Sequence, residues 1–282
     1  MARLRRSWEL AKASWGVIRS DWTLLRFPLV AGVLSTVLGG LALLFLYVSG
    51  VFDGEETGTD DVSIGALTGL FILYFITYTV VIFCNVALVS TVMAIFAGQP
   101  VHADTGWAAA RSRWKKITGW AAIAATVGVL LNVLSNRGDR VTEILAVIGA
   151  AAWSLATFLI VPVLVVEDVG PVDALKRSTT LLKRTWGEQI AGNAGIGLVT
   201  GLLMVGVIAI GGGLIWLAAM TSNVVVIVVA VIPVLVAVAI TMTVTSAMGT
   251  VYSAATYRYA TNQPTVGFGA SDLLPTAFEA KR

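Results

Sequence analysis

The chain alternates long stretches free of ionisable side chains with short stretches that carry nearly all the charge. Residues 27–50, 62–101, 117–136, 144–166 and 189–257 contain no Asp, Glu, Lys, Arg or His. A bilayer core of about 30 Å is crossed by about 20 helical residues. The first, third and fourth stretches each predict one span, and 62–101 predicts one overlong span. The last is long enough for two. Its natural turn is "MTSNV" at 220–224, beyond the glycine-rich 211–213. Six transmembrane helices are therefore predicted, with spans two and six running past the membrane surface.

The polar stretches have a pattern of their own. "LRRSWELAKASWG" (4–16) and "LKRSTTLLKRTWG" (175–187) align without gaps. They are identical at Leu4/Leu175, Arg6/Arg177, Ser7/Ser178, Leu10/Leu181, Lys12/Lys183, Trp15/Trp186 and Gly16/Gly187. In the first, Leu4, Trp8, Ala11, Trp15, Ile18, Trp22 and Leu25 step 4-3 along one helical face. Arg5, Lys12, Arg19 and Arg26 follow every seventh residue on its flank. In the second, Gly170-Pro171 opens a helix with Asp173 in its first turn. Val172, Leu175, Thr179, Leu182 and Trp186 make its apolar face, which Lys176, Arg177, Lys183 and Arg184 avoid. A fainter third copy has Arg111-Ser112 eight residues (Ser to Trp) before Trp120, a stripe of Trp107, Ala110, Trp114 and Ile117, and the charges of Arg111, Arg113, Lys115 and Lys116.

Tryptophan on one face with basic side chains at its shoulder is the pattern of a helix lying in the membrane interface, where cationic stems snorkel outward. Each copy precedes a pair of spans. The expected architecture is all-α: a polytopic six-helix transmembrane bundle with cytoplasmic interfacial amphipathic helices and a threefold repeat of hairpins. One transmembrane domain covers 1–259, with repeats 1–97, 98–166 and 167–259. A cytoplasmic tail covers 260–282.

Charge sets the expected orientation. Lys and Arg number six before the first span, four in 98–116, four in 167–189 and three after Tyr257; the other side has Arg137 and Arg140. The positive-inside rule places both termini in the cytoplasm of a prokaryotic cell, the chain being multi-pass in its cell membrane. The first outer loop, "VFDGEETGTDD", carries five acids and no base. "MARLRR" is basic enough for a signal peptide, but Glu9, Lys12, Arg19, Asp21 and Arg26 stand where an apolar h-region belongs. Composition agrees with a membrane protein: 57% hydrophobic and 12% charged over 282 residues, about half the usual charged fraction. A nucleic-acid surface is not expected, because no dense basic tract or binding motif is present.

Candidate chemistry is sparse. Cys84 is alone, and His102 is the single histidine. This leaves little for a metal site or a nucleophile–base triad, and no phosphate-binding Gly-Lys-Ser/Thr loop occurs. No enzymatic activity, metal or cofactor is expected. Glu167-Asp168 can bind a cation or share a proton; the plainer reading is that they begin a turn and meet the basic collar. Ionisable groups inside spans usually mark transport, and the spans here hold neutral Asn85, Asn132 and Asn193 instead. These can hydrogen-bond between helices or line a narrow polar path. Pro162 and Pro233 predict kinks. Gly197/Gly201 and the ridge Thr241, Thr245, Gly249 and Ser253 predict close helix contacts.

"VEDVGPVDALKRSTTLLKRTWGEQIAGNAGIG" (166–197) resembles the signature of a family of uncharacterised six-span bacterial and archaeal membrane proteins. That family is distantly similar to the membrane domain of some glycerophosphodiester phosphodiesterases. "SWELAKASW" (7–15) and "YRYAT" (257–261) fit as well. Thr179 stands where the family has an aromatic. The resemblance implies an architecture and no reaction.

Three functions fit these features, the least supported being an intramembrane enzyme, for which no nucleophile–base set is visible. The first is a non-enzymatic module whose collar binds anionic lipid, a membrane partner or a second copy. The second is a channel or transporter for a neutral or lipid-like substrate.

Overall fold

A computed structural model describes residues 2–48, 64–100, 103–135 and 140–268. Within these, the side chains of 2–7, 45, 46, 48, 64–67, 103 and 184–200 lie outside the description. The described residues are helical and contain no β-strand. In chain order the helices are α1 (Ala2–Ser20), α2 (Arg26–Val48), α3 (Ile64–Phe96), α4 (Ala103–Ser112), α5 (Trp114–Ser135), α6 (Arg140–Thr157), α7 (Ile160–Val166), α8 (Pro171–Ala219) and α9 (Val224–Ala260). A 3-10 turn, Trp22–Leu25, joins α1 to α2. Asp21 starts it, its carboxylate accepting from Thr23 N at 2.9 Å and Thr23 Oγ1 at 2.6 Å.

Six helical segments are long and apolar enough to cross a membrane: Trp22–Leu44, Thr68–Phe96, Trp114–Ser135, Arg140–Val166, Gly201–Ala219 and Val224–Ala260. They coincide with the six predicted spans. Their surfaces leave Leu41, Val147, Ile210, Val224 and Leu235 more than half exposed, which water would not tolerate over so many turns. The chain is a multi-pass α-helical membrane protein. α8 continues through Gly211–Gly213 and ends at Ala219. There Ser222 takes a positive φ of 50° and the Asn223 side chain caps α9 by accepting from Val225 N at 2.9 Å. The turn thus falls inside "MTSNV", as its residue types require.

The two overlong helices are unbroken at 33 and 37 residues, about 50 and 55 Å at 1.5 Å per residue. Burial is graded along each. In α3 every described residue from Thr68 to Val81 is at least partly exposed, and burial begins at Ile82. In α9 the same holds from Val224 to Ser246, after which Val251, Tyr252, Ala254, Ala255, Thr256 and Tyr257 are at most 2% exposed. The length beyond one membrane thickness therefore builds a folded core.

The residues group into two compact units. One comprises 1–28, 92–100 and 184–282. Here α1 and the 3-10 turn pack against α9, and Leu10, Ala11, Val17, Ile18 and Leu24 are buried. Arg258 is 8% exposed, donating from Nε to the Pro264 carbonyl at 2.8 Å and from Nη1 to the Met93 carbonyl at 3.5 Å. The chain after α9 folds back onto the end of α3: Val266 N donates to Phe96 O at 3.1 Å, and Phe268 meets Phe96 edge-on at 5.8 Å. The first residues of the expected tail are thus part of the fold.

The other unit comprises 29–91 and 101–183. Its centre is the α5–α6 hairpin, where Trp120 stacks on Trp153 at 5.5 Å and a Cβ on Gly149 would stand 3.2 Å from Leu131. Tyr78 and Tyr74 of α3 fill the space beside Gly128, and Trp107 of α4 stacks on Phe83 at 6.0 Å. Pro162 parts α6 from α7. It has no N–H for the Phe158 carbonyl four residues earlier, and the helix stops at Thr157 and restarts at Ile160. At Pro233 α9 continues.

Candidate functional site

The first amphipathic segment forms α1, but its buried face is set one residue earlier than its apolar stripe. Leu10, Ala11, Ser14, Val17 and Ile18 are at most 3% exposed. Trp8 and Trp22, expected in the stripe, are 57% exposed, and Trp15 is half-buried, meeting Trp22 edge-on at 5.7 Å. Lys12, Arg19 and Arg26 are exposed. Trp8, Lys12, Trp15 and Arg19 alternate in steps of 4 and 3, so along α1 they share one ridge; Trp22 and Arg26 lie beyond its end, in the 3-10 turn and at the start of α2. The opposite side of the helix packs on α9. The shift arises because indole is amphipathic and tolerates an interface, whereas Leu10, Val17 and Ile18 do not.

The start of α8 shows the same phase. Ala174, Ser178 and Leu181 are fully buried and Leu182 is 7% exposed, while Val172, expected in the apolar face, is 55% exposed. Leu175 and Thr179 lie between these extremes. Lys176 and Lys183 are exposed, as Lys12 is. In the middle segment the helix breaks at Arg113. Ala110 and Ile117 are buried, but Trp114 is turned outward at 56% beside exposed Arg111 and Lys115.

Three cations of this segment and of α8 reach the end of α7 and the turn after it. Arg113 donates from Nη2 to the Val165 carbonyl at 3.0 Å and from Nη1 to Ala109 O at 3.1 Å. Lys116 pairs with Asp168 Oδ1 at 2.7 Å and bonds the Asp168 backbone carbonyl. Arg177 Nε reaches both Glu167 oxygens, at 2.8 and 3.0 Å. The hydrogen bond and charge of Lys116 hold the exposed Asp168 carboxyl below the usual carboxylate range. Asp168 takes the left-handed conformation (φ 53°), which an Asx side chain tolerates. Glu167-Asp168 therefore starts the turn and meets the collar, the plainer of the two sequence readings. Lys116 and Arg177, expected to face lipid, are held within this clasp.

Ser178 completes it. Its hydroxyl donates to Ala156 O at 2.7 Å and accepts from Leu159 N at 3.3 Å, filling the break that Pro162 opens. Acid, Gly-Pro, Ala, Arg and Ser of the signature thus have structural duties here: turn, helix start, packing, ion pair and break repair. Removing the hydroxyl leaves two buried backbone groups without it, worth about 1–3 kcal/mol. Ser178→Ala should accordingly lower the unfolding temperature of the detergent-solubilised protein. An unchanged transition would show that the break does not depend on this hydroxyl.

The intramembrane asparagines are partly placed. Asn85 and Asn132 are half-buried, and Asn132 lies one turn after Gly128, on the face that meets Tyr78. Cys84 is buried at 3%. Of the other sequence candidates, His102 and the side chains of Arg5, Arg184, Trp186 and Asn193 lie outside the described residues. Among the described residues no group of three or more His, Cys, Asp or Glu is placed to hold a metal ion.

A multi-pass membrane protein with this clasp between its fourth and fifth apolar segments is the class that fold and site define. The chain belongs to a family of unknown function, DUF6159, whose profile matches residues 64–268. No curated protein and no solved structure matches it.

Proposed function

We propose that the protein is an integral membrane module without enzymatic activity that binds anionic lipid through its cytoplasmic amphipathic segments, α1, the α4–α5 junction and the start of α8, each by itself. The observation that carries this reading is the ridge of α1. Lys12 and Arg19 alternate with Trp8 and Trp15 along α1, opposite its buried Leu10, Val17 and Ile18, and exposed Trp22 and Arg26 follow beyond its end. A helix of this kind lies in the headgroup region, and each base near an anionic surface contributes about 1 kcal/mol. The skew of Lys and Arg supports cytoplasmic termini in a prokaryotic cell membrane. The threefold hairpin repeat within one transmembrane domain is part of the same proposal, supported by the shared burial of Leu10/Leu181 and Ala11/Leu182. A distant kinship with the phosphodiesterase membrane domain, resting on the 166–197 segment alone, belongs to the same proposal and concerns architecture only.

Changing Arg5, Lys12, Arg19 and Arg26 to Gln tests the reading. The variant should keep its helical content and co-purify with less anionic lipid at low salt. Unchanged lipid content, with loss of a co-purifying protein or of a second copy on Trp15→Ala, would replace lipid by a protein partner. A channel or transporter for a neutral or lipid-like substrate is the second reading. It draws on Asn85, Asn132 and the Tyr74–Tyr78 pair beside Gly128, and solute flux into proteoliposomes above that of protein-free liposomes would favour it.

A further inference from the structure

The spacing of the bases narrows the lipid. Lys12 and Arg19 are seven residues apart, close to two full turns, so both leave α1 in nearly the same direction about 10.5 Å apart along the axis. Both are exposed, and the half-buried Trp15 stands between them, braced edge-on by Trp22. The span between the two bases is rigid, because Leu10, Ala11, Ser14, Val17 and Ile18 pin the other side of the helix. Nearby Asp21 accepts from Thr23 N and Thr23 Oγ1 at its Oδ1. The start of α8 also carries two exposed lysines seven apart, Lys176 and Lys183, but Lys176 pairs with Asp173 at 3.5 Å and no indole lies between them.

A single phosphate cannot sit on both bases without drawing the two stems together over the indole. Two separate lipids can occupy them, but each must be ordered independently. Two phosphates on one molecule make the second contact intramolecular, at a high effective concentration, and the long Lys and Arg stems adjust to the separation. We infer that the α1 ridge is a site for a lipid carrying two phosphate groups, of the diphosphatidylglycerol class, with one phosphate on Lys12, the other on Arg19 and the glycerol bridge over Trp15. This rests on the lipid reading above and specifies its ligand.

The test uses the full chain in detergent, titrated with tetraoleoyl diphosphatidylglycerol or dioleoyl phosphatidylglycerol at matched total phosphate, bound lipid being counted by native mass spectrometry. The diphosphatidyl lipid should be retained at about tenfold lower lipid phosphate. Lys12→Gln and Arg19→Gln should each remove that preference, and the double variant should remove no more, with helical content unchanged throughout. Arg140→Gln, which deletes an exposed charge outside the amphipathic segments, should leave the preference intact. Equal retention of the two lipids by the parent protein would overturn the inference while leaving the lipid reading standing. No preference for either over phosphatidylcholine would overturn both. A preference that survives Lys12→Gln and Arg19→Gln, or falls equally with Arg140→Gln, would show that this pair is not the site.

Discussion

Arg258→Ala is expected to destabilise the protein by about 2–4 kcal/mol. The guanidinium is almost fully buried at the end of α9 and its strongest bond, 2.8 Å from Nε to the Pro264 carbonyl, ties down the returning chain. The longer bond to the Met93 carbonyl reaches the last turn of α3. Alanine removes a charged donor from both carbonyls and leaves a void where the side chain packed. Val266 and Phe268, which close over Phe96, lose the anchor between them and α9. Arg258→Lys keeps the charge but not the planar fork, so it should fall between parent and alanine. Thermal unfolding in detergent, followed by far-UV circular dichroism, reads the difference. An alanine variant as stable as the parent would mean that the segment after α9 is held by its aromatic contact alone.

Gly211→Val is expected to be the most damaging change on the lipid-exposed length of α8. A Cβ at Gly211 would lie 2.5 Å from Val234 Cγ1, 3.0 Å from Cγ2 and 3.3 Å from Cβ. Rotating the valine cannot clear all three, since its own Cβ is already close and both γ-methyls crowd the same point. Overpacking of this kind costs about 1–3 kcal/mol. Lipid gives no hydrophobic drive to press the helices back together. Gly211→Ala should already destabilise, and Gly211→Val more so. Gly201→Ala and Gly213→Ala have open space around the new methyl, and alanine favours helix over glycine by about 1 kcal/mol, so both should be neutral or stabilising. Val234→Ala should rescue Gly211→Ala in a double-variant cycle. If Gly211→Ala unfolds at the same temperature as Gly213→Ala, α8 and α9 do not depend on this approach.

The close contact at Gly211 also shows where the sequence stops speaking. The chain has 28 glycines, and spacing draws attention to Gly197, Gly201 and Gly249. Gly201 and Gly249 have nothing within 4 Å of an added Cβ, while the tight site falls in the triplet that reads only as the approach to a turn. Small residues permit a close crossing, but the facing helix decides which of them is used. The duplicated segments behave likewise. Their amphipathic character is written in the chain, yet Trp8 and Trp22 face outward because α9 takes the neighbouring Leu10–Val17 side.

What the sequence by itself determined is the part of the fold governed by the solvent: six spans, the overlong second and sixth helices, the turn at 220–224 and the Gly-Pro start of α8. Transfer to a bilayer is summed over about 20 residues, and turns and caps act over a few neighbours, so both can be read locally. The tertiary structure alone decided the pairs: Lys116 with Asp168 and Arg113 with Val165 across 52 residues, Ser178 with the break at Leu159, and Arg258 with Met93 across 165. Each joins groups whose residue types suit many partners equally, and only the packing of one helix against another brings a particular donor within reach of a particular acceptor.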